Sequence, residues 1–390
     1  MFRQQDLTVN LIQSTLQRGA RLSRQTRDYA GNAFDRVFRS AEMVLAGKTP
    51  YETLAEDGLV SLRYYPPLES FSIQLGDDTV PVEPTTHRVP IVIVPPLAVN
   101  MLIYDLFPQR SLVRYLRARG FDVYLIDWGM PTRRHSHYNL HTYVAELLPR
   151  YLDAVRQHSG EQDLSLHGWS MGGMFTLFYT ALSGDRHIRN AVVLGSPIDS
   201  HASGLMGLMY RRFSDVAGLV RRHTGFRIHD VRPHWLHTPG WANTIGFKLT
   251  NPIGSAMGYW ELLLRLGDRE FVTNHATTSA FLDRMVAYPG GIIQDTLVRV
   301  WIDNQLSDGE IQIGEDMARL ENVHANLLAI AGEGDTMVTP GAAKRVMDHV
   351  SSSDKTFRVV PGGHMGILAG SQAPEASWIE IADWLAERSD

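Results

Sequence analysis

The feature of this 390-residue chain that most constrains its fold is the stretch from Asp163 to Gly173, which reads Asp-Leu-Ser-Leu-His-Gly-Trp-Ser-Met-Gly-Gly. It contains the pattern Gly-x-Ser-x-Gly centred on Ser170, which is typical of a nucleophile on a sharp turn between a strand and a helix. Such a turn brings neighbouring backbone into contact, so Gly168 and Gly172 must be small. The flanking apolar runs suit a short buried strand before the turn and a buried helix after it. We therefore predict that Ser170 is catalytic rather than structural.

Strand and helix patterns alternate on both sides of this turn, which is the mark of an α/β sheet. Buried core strands are expected within residues 89–94, 121–126, 191–194, 325–331 and 356–360. Helices are expected within residues 111–119, 140–158, 340–350 and 375–388, and shorter strands within 59–65 and 70–75. The sequence thus predicts a mostly parallel sheet covered by helices.

The alternation lapses between residues 199 and 316, where helical runs rich in Met and Trp take over. We predict a helical cap insertion over 199–316 that divides the α/β core into residues 49–198 and 317–390. The aromatic and methionine side chains of this insertion either line an acyl pocket or form the insertion's own core, and the sequence leaves both interpretations open.

The first 48 residues form an Arg-rich lead-in with apolar residues at helical spacing, namely Leu7, Leu11, Ile12, Phe34, Val37 and Phe38. This spacing predicts one or two amphipathic helices. One interpretation is a helix that lies on a lipid or polymer-granule surface. The other, which we favour, is a helix that packs on the body of the protein with a solvated basic face.

Composition excludes several classes of function. The chain has no cysteine, which rules out disulfides, thiolate metal sites and a cysteine nucleophile, and which fits a cytoplasmic location. The net charge is −5 and like charges do not form blocks, so we expect no nucleic-acid partner. Two groups of histidines, at 135–141 and 229–237, lack the carboxylate spacing of a metal site. We predict neither a metal nor a cofactor.

A serine hydroxyl needs a base to remove its proton, and an acid to hold that base in one tautomer. Of the 16 histidines, His364 follows the last core strand on a Gly-rich turn and is the predicted base. Asp335 ends the preceding strand, and the carboxyl ends of parallel strands share one edge of a sheet. Asp335 is therefore the predicted acid, with Asp303 and Asp308 as its rivals.

Backbone N–H groups are expected to hold the oxyanion. One is the N–H of Met171, directly after the nucleophile, and the other comes from the loop of residues 95–100. Proline has no N–H, so Leu97 is the predicted second donor and Ala98 the fallback. Asp127 also ends a strand but precedes Ser170 in the chain, so we expect a structural or substrate-orienting role for it rather than that of the acid. His167, within the strand before Ser170, is expected to be structural.

Several motifs resemble those of polyhydroxyalkanoate synthases, which have the α/β-hydrolase fold. The similar stretches are Ile91-Val-Ile-Val-Pro-Pro-Leu-Ala-Val-Asn100, Val123-Tyr-Leu-Ile-Asp-Trp128, Tyr288-Pro-Gly-Gly, Gly334-Asp-Thr-Met-Val-Thr-Pro340 and Gly363-His-Met-Gly366. The resemblance covers most of residues 60–385 and is weaker over 200–280. It implies the roles given above to Ser170, Asp335 and His364, hydroxyacyl thioester substrates and a granule surface.

One departure from that family bears on function, because its members carry cysteine where this chain has Ser170. A thiolate passes an acyl chain on readily, whereas a serine forms a stable oxygen ester that is commonly released to water. The leading hypothesis from the sequence is therefore an esterase or thioesterase acting on a hydroxyacyl ester or acyl-CoA. The alternatives are a polyhydroxyalkanoate synthase that uses serine, and a catalytically idle relative that binds granules or lipid. A homodimer is left open.

Overall fold

The computed structural model describes residues 26–84, 86–250 and 252–390. The first part of the predicted N-terminal helices, with Leu7, Leu11 and Ile12, lies outside the described residues. The chain is organised into two compact units. The smaller contains residues 26–46 and Thr244–Asp283, and the larger contains Gly47–Asn243 and Arg284–Asp390.

A single large sheet forms the centre of the larger unit. Within the described residues it has eight strands in the order β1-β2-β8-β5-β9-β10-β13-β14. These strands are β1 (Glu52–Asp57), β2 (Val60–Tyr65), β5 (Ile91–Val94), β8 (Val123–Asp127), β9 (Leu164–Trp169), β10 (Ile188–Leu194), β13 (Asn326–Gly332) and β14 (Lys355–Val360). β1 pairs with β2, and β2 with β8, in antiparallel fashion. All other neighbours are parallel, which confirms the predicted α/β fold.

In the described part of the chain, three small antiparallel pairs accompany the sheet: β3 (Ser72–Leu75) with β4 (Asp78–Pro81), β6 (Asp105–Phe107) with β7 (Arg110–Ser111), and β11 (Glu310–Ile313) with β12 (Asp316–Arg319). The larger unit contains the α-helices α1 (Leu112–Ala118), α2 (Leu148–Ser159), α3 (Met171–Ser183), α4 (Gly204–Thr224), α5 (Pro233–Leu236), α9 (Gly290–Asp295), α10 (Pro340–Lys344), α11 (Val346–His349), α12 (Gly366–Ala369) and α13 (Ile379–Ala386). The helix α6 (Gly240–Thr250) begins in the larger unit and ends in the smaller one. The helices α7 (Pro252–Leu264) and α8 (Arg269–Leu282) belong to the smaller unit. π-Helical turns occur at Thr142–Leu147, Thr296–Ile302 and Pro374–Trp378.

The central strands are apolar throughout because both of their faces are covered. All four residues of β5, Ile91–Val94, are fully buried, and all six of β9 are buried as well. α3 follows β9 directly and is buried over nearly its whole length, from Met171 to Ala181. A buried strand followed by a buried helix is the arrangement that the Gly-x-Ser-x-Gly pattern predicts.

The smaller unit brings together two stretches of chain that are far apart in sequence. Its buried core consists of Met43, Leu262, Leu266, Val272 and Ala276. Residues 26–38 are helical, as predicted, and the side chain of Asn32 donates a hydrogen bond to the carbonyl of Leu266 at 2.8 Å. Phe34, Val37 and Phe38 are each more than half exposed, and the choice between packing on the body and lying on a surface stays a prediction.

The region 199–316 is mainly helical, and the expectation that it acts as a cap stays a prediction. The expected boundary at residue 316 falls at the first residue of β12, inside the hairpin that β12 forms with β11. Many large apolar side chains of the region 199–316 lie at the surface: Trp235, Trp241 and Trp260 are 75%, 68% and 64% exposed. Trp301 instead stacks on Tyr210.

His167 is completely buried within β9. Neither of its ring nitrogens has a hydrogen-bond partner among the described residues, and burial lowers the pKa of the imidazole to about 4. The ring is therefore neutral in the folded protein at pH 7. This placement agrees with the structural role expected from the sequence.

The buried imidazole predicts acid sensitivity. In the unfolded chain it gains a proton below its ordinary pKa of 6.5, while the folded chain resists protonation until about pH 4. The free energy of unfolding should therefore fall as the pH drops from 6.5 towards 4, by up to about 3 kcal/mol from this group. In His167→Leu this component disappears, which denaturant unfolding at pH 7, 6, 5 and 4 will measure.

The matched control is His223→Leu, because His223 is exposed near the end of α4. That variant should keep the wild-type slope of stability against pH. An unchanged slope in His167→Leu would contradict the prediction.

Candidate active site

Ser170 occupies a strained turn between β9 and α3. Its backbone has φ 55° and ψ −123°, a conformation that residues other than glycine rarely adopt. The Ser170 N–H donates to the carbonyl of Leu194 on the neighbouring strand β10 at 2.7 Å, and its carbonyl accepts from the N–H of Gly173 at 3.1 Å. Strain of this kind costs about 1–3 kcal/mol and persists where the surroundings enforce it. The turn therefore presents the half-buried hydroxyl at the carboxyl edge of the sheet.

The glycines around Ser170 are required by close backbone contacts. A Cβ on Gly172 would lie 2.0 Å from the carbonyl oxygen of Val94, at the end of β5. A Cβ on Gly168 would lie 2.4 Å from the carbonyl of Gly172, and one on Gly173 would lie 2.0 Å from the hydroxyl of Ser196. The start of α3 therefore contacts the end of β5 and also Ser196, which follows β10.

The predicted acid and base come from the two strands at one end of the sheet. Asp335 follows β13, and His364 follows β14, and these strands are parallel neighbours. Both side chains consequently emerge at the same edge as Ser170. The structure brings the three residues together although they are separated by up to 194 positions.

The three side chains form a continuous hydrogen-bonded chain. His364 Nε2 lies 2.9 Å from Ser170 Oγ, and His364 Nδ1 lies 2.7 Å from Asp335 Oδ2. Asp335 is buried, and its other carboxylate oxygen accepts from the N–H groups of Met337 and Val338 at 2.9 and 2.8 Å. These bonds fix the carboxylate, and a carboxylate in this position favours the Nδ1–H tautomer, in which Nε2 can accept a proton from a hydroxyl.

Two further residues hold the imidazole in place, and the sequence interpretation missed both. The indole N–H of Trp169 donates to the backbone carbonyl of His364 at 3.0 Å, and the two rings lie 5.3 Å apart. Gly195, which has φ 52°, leaves room for the imidazole, because a Cβ there would lie 3.3 Å from His364 Nδ1. The position of Trp169 beside the nucleophile was the available signal.

The loop that should supply the second oxyanion donor lies against the start of α3. A Cβ on Gly172 would meet the carbonyl carbon of Pro95 at 2.8 Å, which shows how closely this loop approaches. Leu97, Ala98 and Met171 are all buried, and none of their N–H groups donates a hydrogen bond to the described residues. Ala98 has φ 66°, a second strained non-glycine residue at this edge. The donor roles of Leu97 and Met171 stay predictions.

The other predicted candidates lie elsewhere. Asp127 forms an ion pair with Arg63 and accepts from the N–H of Gly129 at 2.9 Å, which is a structural role. Asp303 pairs with Arg221 at 3.1 Å, and Asp308 is exposed, so neither rival hydrogen-bonds to His364.

One histidine of each group pairs with a carboxylate. His141 pairs with Glu146 at 3.0 Å and His229 with Asp295 at 3.3 Å. In the part of the chain that the structure describes, no set of three or more His, Asp or Glu side chains is arranged to hold a metal ion.

No described helix is both long enough and apolar enough to cross a bilayer.

Comparison with known proteins gives a consistent picture. Residues 89–371 match the family described as the alpha/beta hydrolase fold. Poly(3-hydroxyalkanoate) polymerase subunit PhaC of Haloferax mediterranei is 30% identical over 367 residues, which are 93% of this chain and 69% of that protein. PhaC of Allochromatium vinosum is 26% identical over 372 residues, which are 94% of this chain and 98% of that protein. These likenesses confirm the resemblance drawn from the motifs.

A solved structure shares the fold. A soluble variant of monoglyceride lipase from Saccharomyces cerevisiae superposes with a TM-score of 0.52 at 14% identity, covering 88% of this chain and 96% of that one. At this identity the likeness describes the fold alone.

The tight packing of α3 predicts that Gly172→Ala is severe. The added methyl overlaps the Val94 carbonyl, so the turn or β5 must shift, at a cost of about 1–3 kcal/mol. Turnover of a short p-nitrophenyl ester should be lost, and the denaturant midpoint should fall. Gly218→Ala is the control, because a Cβ at Gly218 in α4 meets nothing within 4 Å. That variant should be active and up to about 1 kcal/mol more stable. Equal stability of the two variants would refute the packing argument.

The hydrogen-bond geometry predicts that Asp335→Asn preserves the fold but removes most of the activity. An amide still accepts from the N–H groups of Met337 and Val338, but it no longer favours the Nδ1–H tautomer of His364. The kcat for a short ester should fall roughly 10³- to 10⁴-fold. Asp303→Asn and Asp308→Asn should each retain nearly wild-type kcat. A comparable loss in either of those variants would point to a different acid.

Proposed function

This chain belongs to the α/β-hydrolase fold family and, within it, to the poly(3-hydroxyalkanoate) polymerases, and on that premise we propose that it is a serine-dependent hydroxyacyl transferase that builds a polyester. Membership of this family makes it an enzyme of the hydrolase or acyltransferase class. The observation that carries the proposal is the likeness to polymerases over 93% of the chain, combined with a hydrogen-bonded Ser170–His364–Asp335 arrangement. The substrate class is a 3-hydroxyacyl thioester.

The proposed reaction has two halves. Ser170 Oγ attacks the thioester carbonyl while His364 Nε2, at 2.9 Å, takes the hydroxyl proton. The thiol leaves with that proton, and an oxygen ester forms on Ser170. The hydroxyl of a second hydroxyacyl unit then gives its proton to His364 and attacks this ester, which lengthens the product by one unit and restores the serine. Backbone N–H groups of Leu97 and Met171 would stabilise both oxyanions.

Hydrolysis is the second candidate, and one observation favours it. The nucleophile is an oxygen, at a position where the resemblance implies sulfur. Acyl transfer from an oxygen ester requires base assistance for whichever hydroxyl attacks, and water is the most abundant hydroxyl. If water reaches the acyl-enzyme before a second hydroxyacyl unit does, the product is the free hydroxy acid.

A polymer or lipid surface is the proposed partner, and it would place the protein on granules in the cytoplasm. The support is exposed apolar surface in each unit taken separately. In the smaller unit Phe34, Val37, Phe38, Trp260 and Leu264 are each more than half exposed. In the larger unit Leu205, Phe213, Val216 and Leu219 form an exposed apolar stripe along α4. Soluble monomers rarely leave contiguous apolar patches of this kind uncovered.

Product analysis separates the two candidates. The purified chain is incubated with a 3-hydroxyacyl-CoA, thiol release is followed, and the product is divided into polymer and free acid. Polymer accounting for most of the released thiol supports the transferase, whereas free acid alone overturns it in favour of hydrolysis. In Ser170→Ala both products should disappear, because the triad depends on its nucleophile. In Ser170→Cys the polymer share should rise, since a thioester intermediate is transferred more readily. Full activity of Ser170→Ala would refute the mechanism.

A further inference from the structure

The predicted oxyanion loop, residues 95–100 between β5 and Met101, is hydrogen-bonded to a chain segment almost 190 positions away. The N–H of Val286 donates to the carbonyl of Ala98 at 2.9 Å. The side-chain amide of Asn100 donates to the carbonyl of Arg284 at 3.0 Å, while its oxygen accepts from the N–H of Leu102 at 3.2 Å. Two hydrogen bonds of opposite direction therefore join residues 98–100 to residues 284–286.

A third hydrogen bond holds that segment in turn. The side-chain amide of Asn243 donates to the carbonyl of Val286 at 2.7 Å. Asn243 is the last residue of the larger unit before the chain departs into Thr244–Asp283, and Arg284 is the first residue after its return. The departing and returning chain are thus bonded to each other, and the returning chain is bonded to the predicted oxyanion loop.

These bonds act on the one residue of the loop that is strained. Ala98 has φ 66°, a backbone conformation that residues other than glycine rarely adopt. The beginning of the loop is held separately, by the indole N–H of Trp128 on the carbonyl of Pro95 at 2.8 Å. A strained backbone persists only where its surroundings enforce it, and the hydrogen bonds at 98–100 supply that restraint. Without them the loop could relax, and the N–H of Leu97 would turn away from the site.

We propose that Asn100 and Asn243 are positioning residues, which hold the oxyanion loop in its competent conformation through the segment Arg284–Val286. Asn100 bonds the segment directly, and Asn243 fixes the Val286 peptide whose N–H holds the Ala98 carbonyl. This inference rests on the proposed acyl-transfer chemistry, because it concerns the oxyanion that forms when Ser170 attacks. An oxyanion hole is used only in the transition state, so its misplacement lowers kcat and leaves KM almost unchanged.

The test uses substitutions that remove the side-chain amide donor. Asn100→Asp keeps an oxygen for the Leu102 N–H but cannot donate to Arg284, and Asn243→Asp cannot donate to Val286. Asn243→Ala is a second variant without a new charge. The control is Asn322→Asp, because the Asn322 side chain also donates to a carbonyl, that of Ala181 at 3.4 Å, and plays no part in the loop. Thermal unfolding and circular dichroism of the full chain establish that each variant is folded.

The first readout is the division of the effect between kcat and KM for a short p-nitrophenyl ester. We expect kcat to fall roughly 10-fold or more in each loop variant, with KM within about twofold of wild type. The second readout is inhibition by an alkyl boronic acid, which forms a tetrahedral adduct on an active serine. Its Ki should rise by the same factor as kcat/KM falls, since both depend on the oxyanion hole. Asn322→Asp should change neither quantity.

Three results would overturn the proposal. In the first, Asn100→Asp and either Asn243 variant are folded and keep the wild-type kcat for the ester and the wild-type Ki for the boronic acid. Another is a raised KM with unchanged kcat, which would mean that the asparagines contact the substrate instead. The third is a loss of kcat of equal size in Asn322→Asp, which would mean a general effect on the fold. A wild-type chain that neither turns over any ester nor reacts with a fluorophosphonate lacks an activated serine, and that result alone refutes the proposed function together with this inference.

Discussion

The whole site depends on how closely the start of α3 approaches the end of β5. There is no space for a methyl group between Gly172 and the carbonyl of Val94, and the same crowding recurs between Gly168 and Gly172. Ser170 lies between these two glycines, and the crowding leaves its backbone little room to relax from φ 55°. It also sets the distance between the first N–H of α3 and the loop after β5. One steric constraint therefore positions the predicted nucleophile and both predicted oxyanion donors.

The predicted triad adds a second constraint, which arises from the parallel sheet. Side chains that follow parallel strands meet at one edge whatever their separation in sequence. Ser170 follows β9, Asp335 follows β13 and His364 follows β14, so the acid and the base come from adjacent strands while β10 lies between β9 and β13. The gap over β10 is spanned by the imidazole itself, and Gly195 at the end of β10 supplies the room for it. The absence of a side chain at Gly195 matters as much to the geometry as the presence of one at His364.

The core strands, and the meeting of Asp335 and His364 with Ser170, could be predicted from the sequence because their signals are local. A run such as Ile91–Val94 is recognisable by itself, and His364 and Asp335 could be selected because each directly follows such a run. The positive φ of Ala98 could not be predicted, since alanine carries no sign of it and the bonds that maintain it come from residues 284–286. Nor could the composition of the smaller unit, where Asn32 meets Leu266 across 234 positions. Contacts of that kind leave no periodic pattern in either partner.

The hydrogen bond between Asn243 and Val286 also has an evolutionary consequence. It places the two ends of the forty-residue excursion Thr244–Asp283 side by side, so that a short turn could join them without disturbing the strands. A segment with adjoining ends can be acquired, exchanged or deleted as a cassette, which is how insertions enter established folds. In this chain residues 26–46 share a core with the excursion and would have to be gained or lost with it. The α/β scaffold can therefore keep its chemistry constant while its accessory unit diverges.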